Sequence, residues 1–324
     1  MGLKMRGIAF YIFVLHVLFT ALLLAGGCAM KRSAMWPLAT LEGVQGHFME
    51  GQIIDMKAGK TVSFDDLMAA LASVRVVFVG EVHNNPEHHL MQVQILQGLL
   101  ERDHRLTVAM EFFEAPRQET IDEYMEGRMT ESAFLETVNW RKSWSFPYHF
   151  YRPLILLAKT NGRPLLALNV PHTIVRKVAR SGIESLEPAE RGQVADQIDL
   201  ENDAHRAYLL EVYQTHPHRE MKDFQAFYEA QCVWEDTMAD EIARYLAEQS
   251  GKMVVFTGNG HIINRFGIPD RVLRRIDVTM ATVLLYPLTD ATHMNKKIAD
   301  YVWLTSGCSA GVPRMHSRRS NPSE

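Results

Sequence analysis

Cysteine is scarce in this 324-residue chain, which contains only Cys28, Cys232 and Cys308. Cys28 follows an amino-terminal apolar segment, Cys232 lies within a helical pattern, and Cys308 lies in a Ser/Gly-rich tail. A small scaffold held together by several disulfides needs more cysteines, so this class of protein is excluded. We expect Cys232 to serve as a small buried apolar side chain.

An excess of positive charge and regular repeats are also missing. The formal net charge of −4 provides no general attraction to nucleic acid, so no nucleic-acid partner is expected. No segment recurs at the spacing of a solenoid repeat. Gly258 and Gly260 do not continue into a dinucleotide-binding loop, because the next glycine is Gly267.

Long apolar runs are confined to the amino terminus. Lys4 and Arg6 precede an apolar segment from residue 7 to residue 24, which is followed by Ala25-Gly26-Gly27-Cys28. This pattern predicts a signal peptide over residues 1–27 and lipidation of Cys28, with residues 28–46 as a tether. A single transmembrane anchor remains the alternative, since eighteen residues can just span a bilayer.

Four short apolar runs in the body of the chain each end in polar residues. Val76 to Val79, rich in β-branched residues, suits a strand buried on both faces and is followed by Gly80, Glu81 and His83. The other runs end at Glu111, at Asn169 with His172, and at His261. If the strands are parallel neighbours, these side chains meet at one edge of the sheet. The sequence therefore predicts an α/β fold with a mainly parallel central sheet flanked by helices.

The remaining segments complete a body that we place at residues 47–305. A hairpin is predicted over residues 51–62, helices over 63–72 and 86–101, further strands near 278–286 and at an edge over 301–304, and a disordered tail over 306–324. His88 and His89, in the first turn of the second helix, are predicted to be solvated. Residues 188–248 read as a helical cap over the strand ends, in which Gln225, Gln231, Glu235 and Asp236 are candidates to face the cleft.

Aromatic residues are concentrated between residues 140 and 151. The irregular spacing of these rings predicts that they line a loop, and Arg141, Lys142 and Arg152 lie among them. Such walls with nearby cations suit a flat apolar ligand with acidic edges, whereas the alternative is a plain hydrophobic subcore. The rings are those of Trp140, Trp144, Phe146, Tyr148, Phe150 and Tyr151.

Several sequence blocks occur in order along the body: Gly80-Glu81-Val82-His83, Glu111-Phe112-Phe113-Glu114, Leu168-Asn169-Val170-Pro171, residues 230–239, and Gly258-Asn259-Gly260-His261. This ordered set resembles the superfamily that contains the ChaN haem-binding lipoproteins, the Tiki and TraB proteins and the erythromycin esterases. The blocks around Gln231 and Gly258 resemble ChaN in particular.

The resemblance implies a protein that binds ferric b-type haem for haem or iron uptake. It implies a tyrosine ligand to the iron, either Tyr151 or Tyr148, with Arg152 and His172 as further haem contacts; a nearby Arg or His would lower the pKa of the phenol. It also implies a homodimer with stacked haems and an outer-membrane haem receptor as partner. Because no aspartate follows Cys28, it implies a lipid anchor in the bacterial outer membrane, facing the periplasm.

Two alternatives remain open from the residues themselves. Glu81, His83, Glu111 and His261 have the ligand types that a divalent metal ion takes, which predicts a metal-dependent peptidase or esterase. In the other alternative these polar groups only satisfy one another at the buried strand ends of a binding module. We rank haem binding above an enzymatic function because the lipoprotein leader, the aromatic segment and the ChaN-like blocks are all expected of a haem-binding lipoprotein.

Overall fold

The structure, a computed structural model, describes residues 37–215, 221–289 and 292–307. The predicted leader, Cys28 and the tail from residue 308 onward lie outside the described residues. Within them the strands, in chain order, are β1 (Ala39–Leu41), β2 (Ile53–Asp55), β3 (Lys60–Val62), β4 (Val76–Glu81), β5 (Thr107–Glu114), β6 (Leu165–Asn169), β7 (Met253–Gly258), β8 (Met280–Pro287), β9 (Thr292–Met294) and β10 (Tyr301–Thr305).

Eight of these strands form one sheet in the spatial order β3-β2-β10-β8-β4-β7-β5-β6. The six strands from β10 to β6 run parallel to one another, whereas β2 is antiparallel to both β10 and β3. Every residue of β4 is buried, and separate apolar clusters cover the two faces of the sheet. This confirms the mainly parallel α/β fold, since a strand covered on both faces needs a continuous apolar run.

The carboxyl-terminal strand differs from its prediction. Residues 301–304 are predicted at an edge of the sheet, but β10 pairs with β8 on one side and β2 on the other. The prediction was wrong because β2 pairs with β10, so that β3 and not β10 is the edge strand of the sheet. The hairpin of β2 and β3 was itself predicted, but its place in the sheet was not. Pairing of this kind joins residues about 250 positions apart, which no local pattern reports.

The predicted tether also ends earlier than expected. Ala39 and Leu41 are buried in β1, which pairs in parallel with β9 and contacts Phe48 through an isolated bridge. The body of the protein therefore includes residues from at least Ala39 onward.

Helices cover both faces of the sheet. They are α1 (Phe64–Ala72), α2 (Pro86–Leu100), α3 (Gln118–Met125), α4 (Glu131–Thr137), α5 (Trp140–Ser143), α6 (Tyr148–Thr160), α7 (His172–Ser181), α8 (Pro188–Arg191), α9 (Asp203–Thr215), α10 (Phe224–Glu248) and α11 (Ile268–Leu273). Ser63 caps α1 in a capping box with Asp66, and Asn85 caps α2 ahead of Pro86. Both starts follow from the sequence, because these side chains bond the free amides of a first helical turn.

The cap region is only partly helical. Residues 188–248 contain α8, α9 and α10, but residues 192–202 form no α-helix. In the described part of the chain no helix is both long and apolar enough to cross a bilayer.

Candidate functional site

The predicted polar edge exists. β4, β7, β5 and β6 are consecutive in the sheet, so Glu81, Gly258, Glu111 and Asn169 all lie at its carboxyl edge, with Glu81 paired to Gly258 and Asn169 paired to Glu114. One difference concerns β5, which runs beyond Glu111 to Glu114, with an irregular register after Met110. Glu111 therefore points from within a strand rather than from the loop after it.

Glu81 is a buried carboxylate with three partners. One oxygen lies 2.8 Å from His83 Nδ1 and accepts a hydrogen bond from the Tyr151 hydroxyl over 3.1 Å. The other oxygen lies 3.1 Å from His89 Nδ1. Burial alone would raise the pKa of Glu81, but the contacts with His83 and His89 outweigh burial and hold this pKa below its ordinary value. The side chain is therefore an anion between two imidazoles.

His88 and His89 are not solvated, contrary to the prediction. His88 is fully buried: its Nδ1 accepts the Val82 amide over 2.9 Å, and its Nε2 lies 2.9 Å from the Thr305 hydroxyl. His89 donates from Nε2 to the His83 carbonyl over 3.0 Å. The available signal was helical spacing, since His88 shares a face of α2 with buried Gln92 and Ile95.

Glu111 and His261 form a second buried pair. One Glu111 oxygen accepts hydrogen bonds from the Thr257 hydroxyl over 2.5 Å and from the Gly258 amide over 2.7 Å. The other lies 3.4 Å from His261 Nε2. Burial opposes both charges, but their mutual attraction outweighs it and moves the pKa of Glu111 to about 2 and that of His261 to about 10.

His261 also contacts a network of acidic and basic side chains on the helices of the cap. His261 Nδ1 lies 3.2 Å from Glu235, whose other oxygen lies 3.4 Å from both His205 Nε2 and Arg271 Nε. Arg271 also pairs with Asp236. Burial raises the pKa of Asp236 to about 6 despite this cation. The sequence did not single out His205 or Arg271, because they lie on separate helices and no local spacing links them to the edge.

The four residues predicted as metal ligands are brought to the same edge but not to one point. Glu81 pairs with His83, and Glu111 pairs with His261. Within residues 37–215, 221–289 and 292–307, no group of three or more acidic, histidine or cysteine side chains is arranged to hold a metal ion.

A pocket of about 210 Å³ opens beside His83, the one member of these two pairs that lines it. The His83 side chain is 27% exposed there, and its ring lies 5.0 Å from the ring of Trp144 and 4.8 Å from that of Phe146. The predicted haem contact His172 is present, at the start of α7. The lining residues are His83, Glu114, Lys142, Ser143, Trp144, Ser145, Phe146, Asn169, His172, Val175 and Trp234.

The predicted ligand tyrosines lie on α6, so the expectation that all the rings line a loop was wrong. Only residues 144–147 of this region are non-helical. The Tyr151 hydroxyl is directed to Glu81, and the Tyr148 hydroxyl donates to Glu131 over 2.9 Å. Burial is the main cause that raises the pKa of both phenols, which contradicts the expected lowering. Arg152 does not offset it, because its guanidinium binds Glu131.

A mainly parallel sheet with paired acids and imidazoles at its carboxyl edge defines a class of α/β protein, which the family comparison identifies as the Tiki superfamily. The model of the family described as "Haem-binding uptake, Tiki superfamily, ChaN" matches residues 67–272. The chain belongs to this family.

Individual relatives are distant. Protein RETICULATA-RELATED 5, chloroplastic, from Arabidopsis thaliana is 25% identical over 262 residues; the match covers 73% of this chain but only 35% of the plant protein. The structure of Campylobacter jejuni ChaN with cofacially bound haem superimposes with a TM-score of 0.62 at 18% identity, over 82% of this chain and 98% of that one. A mutant erythromycin esterase, EreC, reaches a TM-score of 0.45 at 12% identity, over 73% and 76% of the two chains.

Proposed function

We propose that this chain binds haem in the pocket beside His83, in the service of haem or iron uptake. The observation that carries the proposal is the combination of aromatic walls and unpaired cations. Trp144, Phe146 and Trp234 line the pocket. Lys142 on the rim forms no ion pair in the described part of the chain, and neither do the neighbouring Arg141 and Arg176. In a chain of net charge −4, this local positive charge suits a flat apolar ring with two carboxylates.

The iron ligand of this proposal is a tyrosine, Tyr151 or Tyr148, binding ferric b-type haem. The resemblance of the sequence blocks to ChaN implies a tyrosine, while the family model supports haem as the ligand. Both residues lie on α6, directly after the pocket wall formed by Trp144 and Phe146. Burial and the neighbouring carboxylates raise both pKa values, so the phenol would ionise only where a bound ferric iron takes the place of its proton. Tyr151 has Glu81 at 3.1 Å and Tyr148 has Glu131 at 2.9 Å.

The assembly and location are further parts of the proposal. A pocket of about 210 Å³ is smaller than the roughly 300–1,000 Å³ of sites that enclose a small molecule, so much of a porphyrin would lie outside it. A homodimer with stacked haems would cover that exposed face. We further propose lipidation at Cys28, an outer-membrane position facing the periplasm, and an outer-membrane receptor that supplies the haem.

Hemin titration of the purified protein lacking residues 1–27 tests the proposal. We expect saturable binding and a tyrosinate-type ferric spectrum, which Tyr151→Phe or Tyr148→Phe removes. Tyr301→Phe, in β10, is the matched control and should keep the wild-type spectrum. Absence of hemin binding would overturn the function, whereas binding with spectra unchanged in both Phe variants would overturn only the tyrosine assignment.

The cations are tested separately. Lys142→Gln should weaken hemin binding more at low than at high salt, because exposed charges are screened by salt. Lys57→Gln, at an exposed turn between β2 and β3, provides the control. Equal hemin affinities for wild type, Lys142→Gln and Lys57→Gln would show that Lys142 does not contribute to haem binding.

A further inference from the structure

The pocket beside His83 has room for one ring or one short side chain of a ligand. Its volume is about 210 Å³. An apolar cavity of about 150 Å³ accepts a single benzene molecule, so the four pyrrole rings of a porphyrin cannot enter this space. Only a side chain of haem, or a molecule with a single ring, fits inside.

Asn169 is a buried polar side chain without a partner at this pocket. It is the last residue of β6, is 8% exposed, and lines the pocket. Its amide forms no hydrogen bond within the described residues. Trp234 Nε1 also lacks a partner but is closed off from solvent, whereas the amide atoms of Asn169 are not closed off and therefore open into the pocket. A buried amide of this kind needs an external partner, either water or a ligand that replaces the water.

The polar groups that remain free around the pocket are mainly donors. Lys142 and Ser145 are exposed in the lining, and neither side chain has a hydrogen bond or ion pair in the described part of the chain. Glu114 is the one acid in the lining, and it already accepts the amide of His172 over 3.1 Å. That amide lies at the start of α7, where the positive end of the helix dipole offsets the charge of Glu114. These groups favour an anionic ligand with several acceptors.

We propose that Asn169 donates a hydrogen bond to a carboxylate carried on a short apolar arm, and that Lys142 pairs with this carboxylate at the rim. The arm packs against Trp144 and Phe146. This inference rests on the proposed haem binding: the arm is one propionate of haem, and the ring system stays outside the pocket. A free single-ring acid offers the same chemistry, so the experiment has to separate the two sources. Hydrogen bonds to an ionised group are roughly twice as strong as neutral ones, which makes Asn169 a residue that selects the carboxylate.

Titration of the full chain with hemin and with hemin dimethyl ester, in the same detergent solution, tests the proposal. The ester keeps the iron and the ring system but has no carboxylate. We expect wild type to bind hemin about 10–100-fold more tightly than the ester, the usual effect of a hydrogen bond to a charged group. In Asn169→Leu most of this preference should disappear, while the affinity for the ester stays within about 2-fold of wild type, because the ester does not depend on the amide.

Asn169→Asp keeps the shape of the side chain and replaces its donor with a negative charge. It should weaken hemin binding further than Asn169→Leu and leave ester binding unchanged. Asn295→Asp is the matched control: Asn295 is exposed, and its side-chain oxygen, which accepts the Lys297 amide, is retained in aspartate. This control should keep the wild-type preference for hemin.

The free acid 3-phenylpropionate provides the second arm of the experiment, followed by tryptophan fluorescence, with uncharged 3-phenylpropionamide as its control. Equal affinity of wild type for hemin and its ester, or a preference that both Asn169 variants retain, would overturn this inference and leave the proposed haem binding standing. Wild type that binds 3-phenylpropionate through Asn169 but no hemin would overturn the proposed function and assign the site to a free acid. Binding of neither hemin nor 3-phenylpropionate would overturn both.

Discussion

The imidazole of His261 lies 3.2 Å from the carboxylate of Glu235 and thereby joins the sheet edge to α10. The two residues belong to different layers of the fold, the loop after β7 and the cap. Glu235 also lies 3.4 Å from Arg271, a fully buried cation. The cap is therefore attached over the strand ends by charge pairing as well as by apolar packing.

The first prediction concerns the buried guanidinium. Arg271→Leu leaves Glu235 and Asp236 without this cation in a buried site, so we expect the free energy of unfolding to fall by about 3–5 kcal/mol in urea titrations. Arg274→Leu is the control, because Arg274 pairs with Asp199 at the surface and should cost at most about 1 kcal/mol. Similar losses in the two variants would show that the Arg271 network is not a buried ion cluster.

His88 should make the fold sensitive to mild acid. Burial lowers its pKa from 6.5 to about 3, so between these pH values the unfolded chain binds one more proton than the folded chain. This contribution to stability is complete above pH 6.5 and is lost as pH falls toward 3. From pH 7 to pH 5 we expect a loss of about 2 kcal/mol from this residue.

The matched variants for this effect are His88→Gln and His104→Gln. Urea unfolding at pH 7 and pH 5 should show a smaller drop for His88→Gln than for wild type. His104 is exposed, so its variant should follow wild type. A drop of equal size in all three proteins would mean that His88 remains free to protonate in the folded chain.

The pair formed by Glu111 and His261 distinguishes a structural cluster from a metal-dependent enzyme. His261→Ala leaves buried Glu111 and Glu235 each short of a partner, and we expect a loss of about 1–3 kcal/mol of stability with hemin binding retained. Elemental analysis of wild type should find far less than one divalent ion per chain. About one zinc, manganese or cobalt, together with ester or peptide hydrolysis that His261→Ala abolishes, would favour the hydrolase.

The predicted lipid anchor is tested at Cys28. Cys28→Ser removes the thiol that would accept diacylglycerol, so cells supplied with a radioactive fatty acid should label the wild-type protein and not the variant. Cys232→Ser controls for label attached elsewhere, since that cysteine is buried in α10. Label retained in Cys28→Ser would contradict lipidation at this residue.

Features that depend on neighbouring residues could be read from the sequence. An apolar run predicts the strand from Val76 to Glu81. The Ser63 side chain predicts the start of α1, and the ring of Pro86 predicts the start of α2. The position of Glu81 and Glu111 at one edge followed from the general geometry of parallel sheets. These rules give the location of the site.

Features that depend on distant partners could not be read in the same way. His88 is buried against Thr305, which is 217 residues away, and Arg271 meets Glu235 across two elements. Polar residues in a helix are ordinarily exposed, and only knowledge of the packed partners reverses that expectation. The raised phenol pKa values have the same origin, because burial is a property of the assembled fold.

The order of strands in the sheet has a consequence for how the protein is made. The ribosome delivers β2 before β10, which follows every other described strand of the sheet in the chain, yet β10 is the strand that joins the β2–β3 hairpin to β8. Until residues 301–305 emerge, β2 and β8 each keep an unpaired edge, and His88 lacks its contact with Thr305. The eight-stranded sheet therefore cannot be completed during biosynthesis until all of its other strands have left the ribosome.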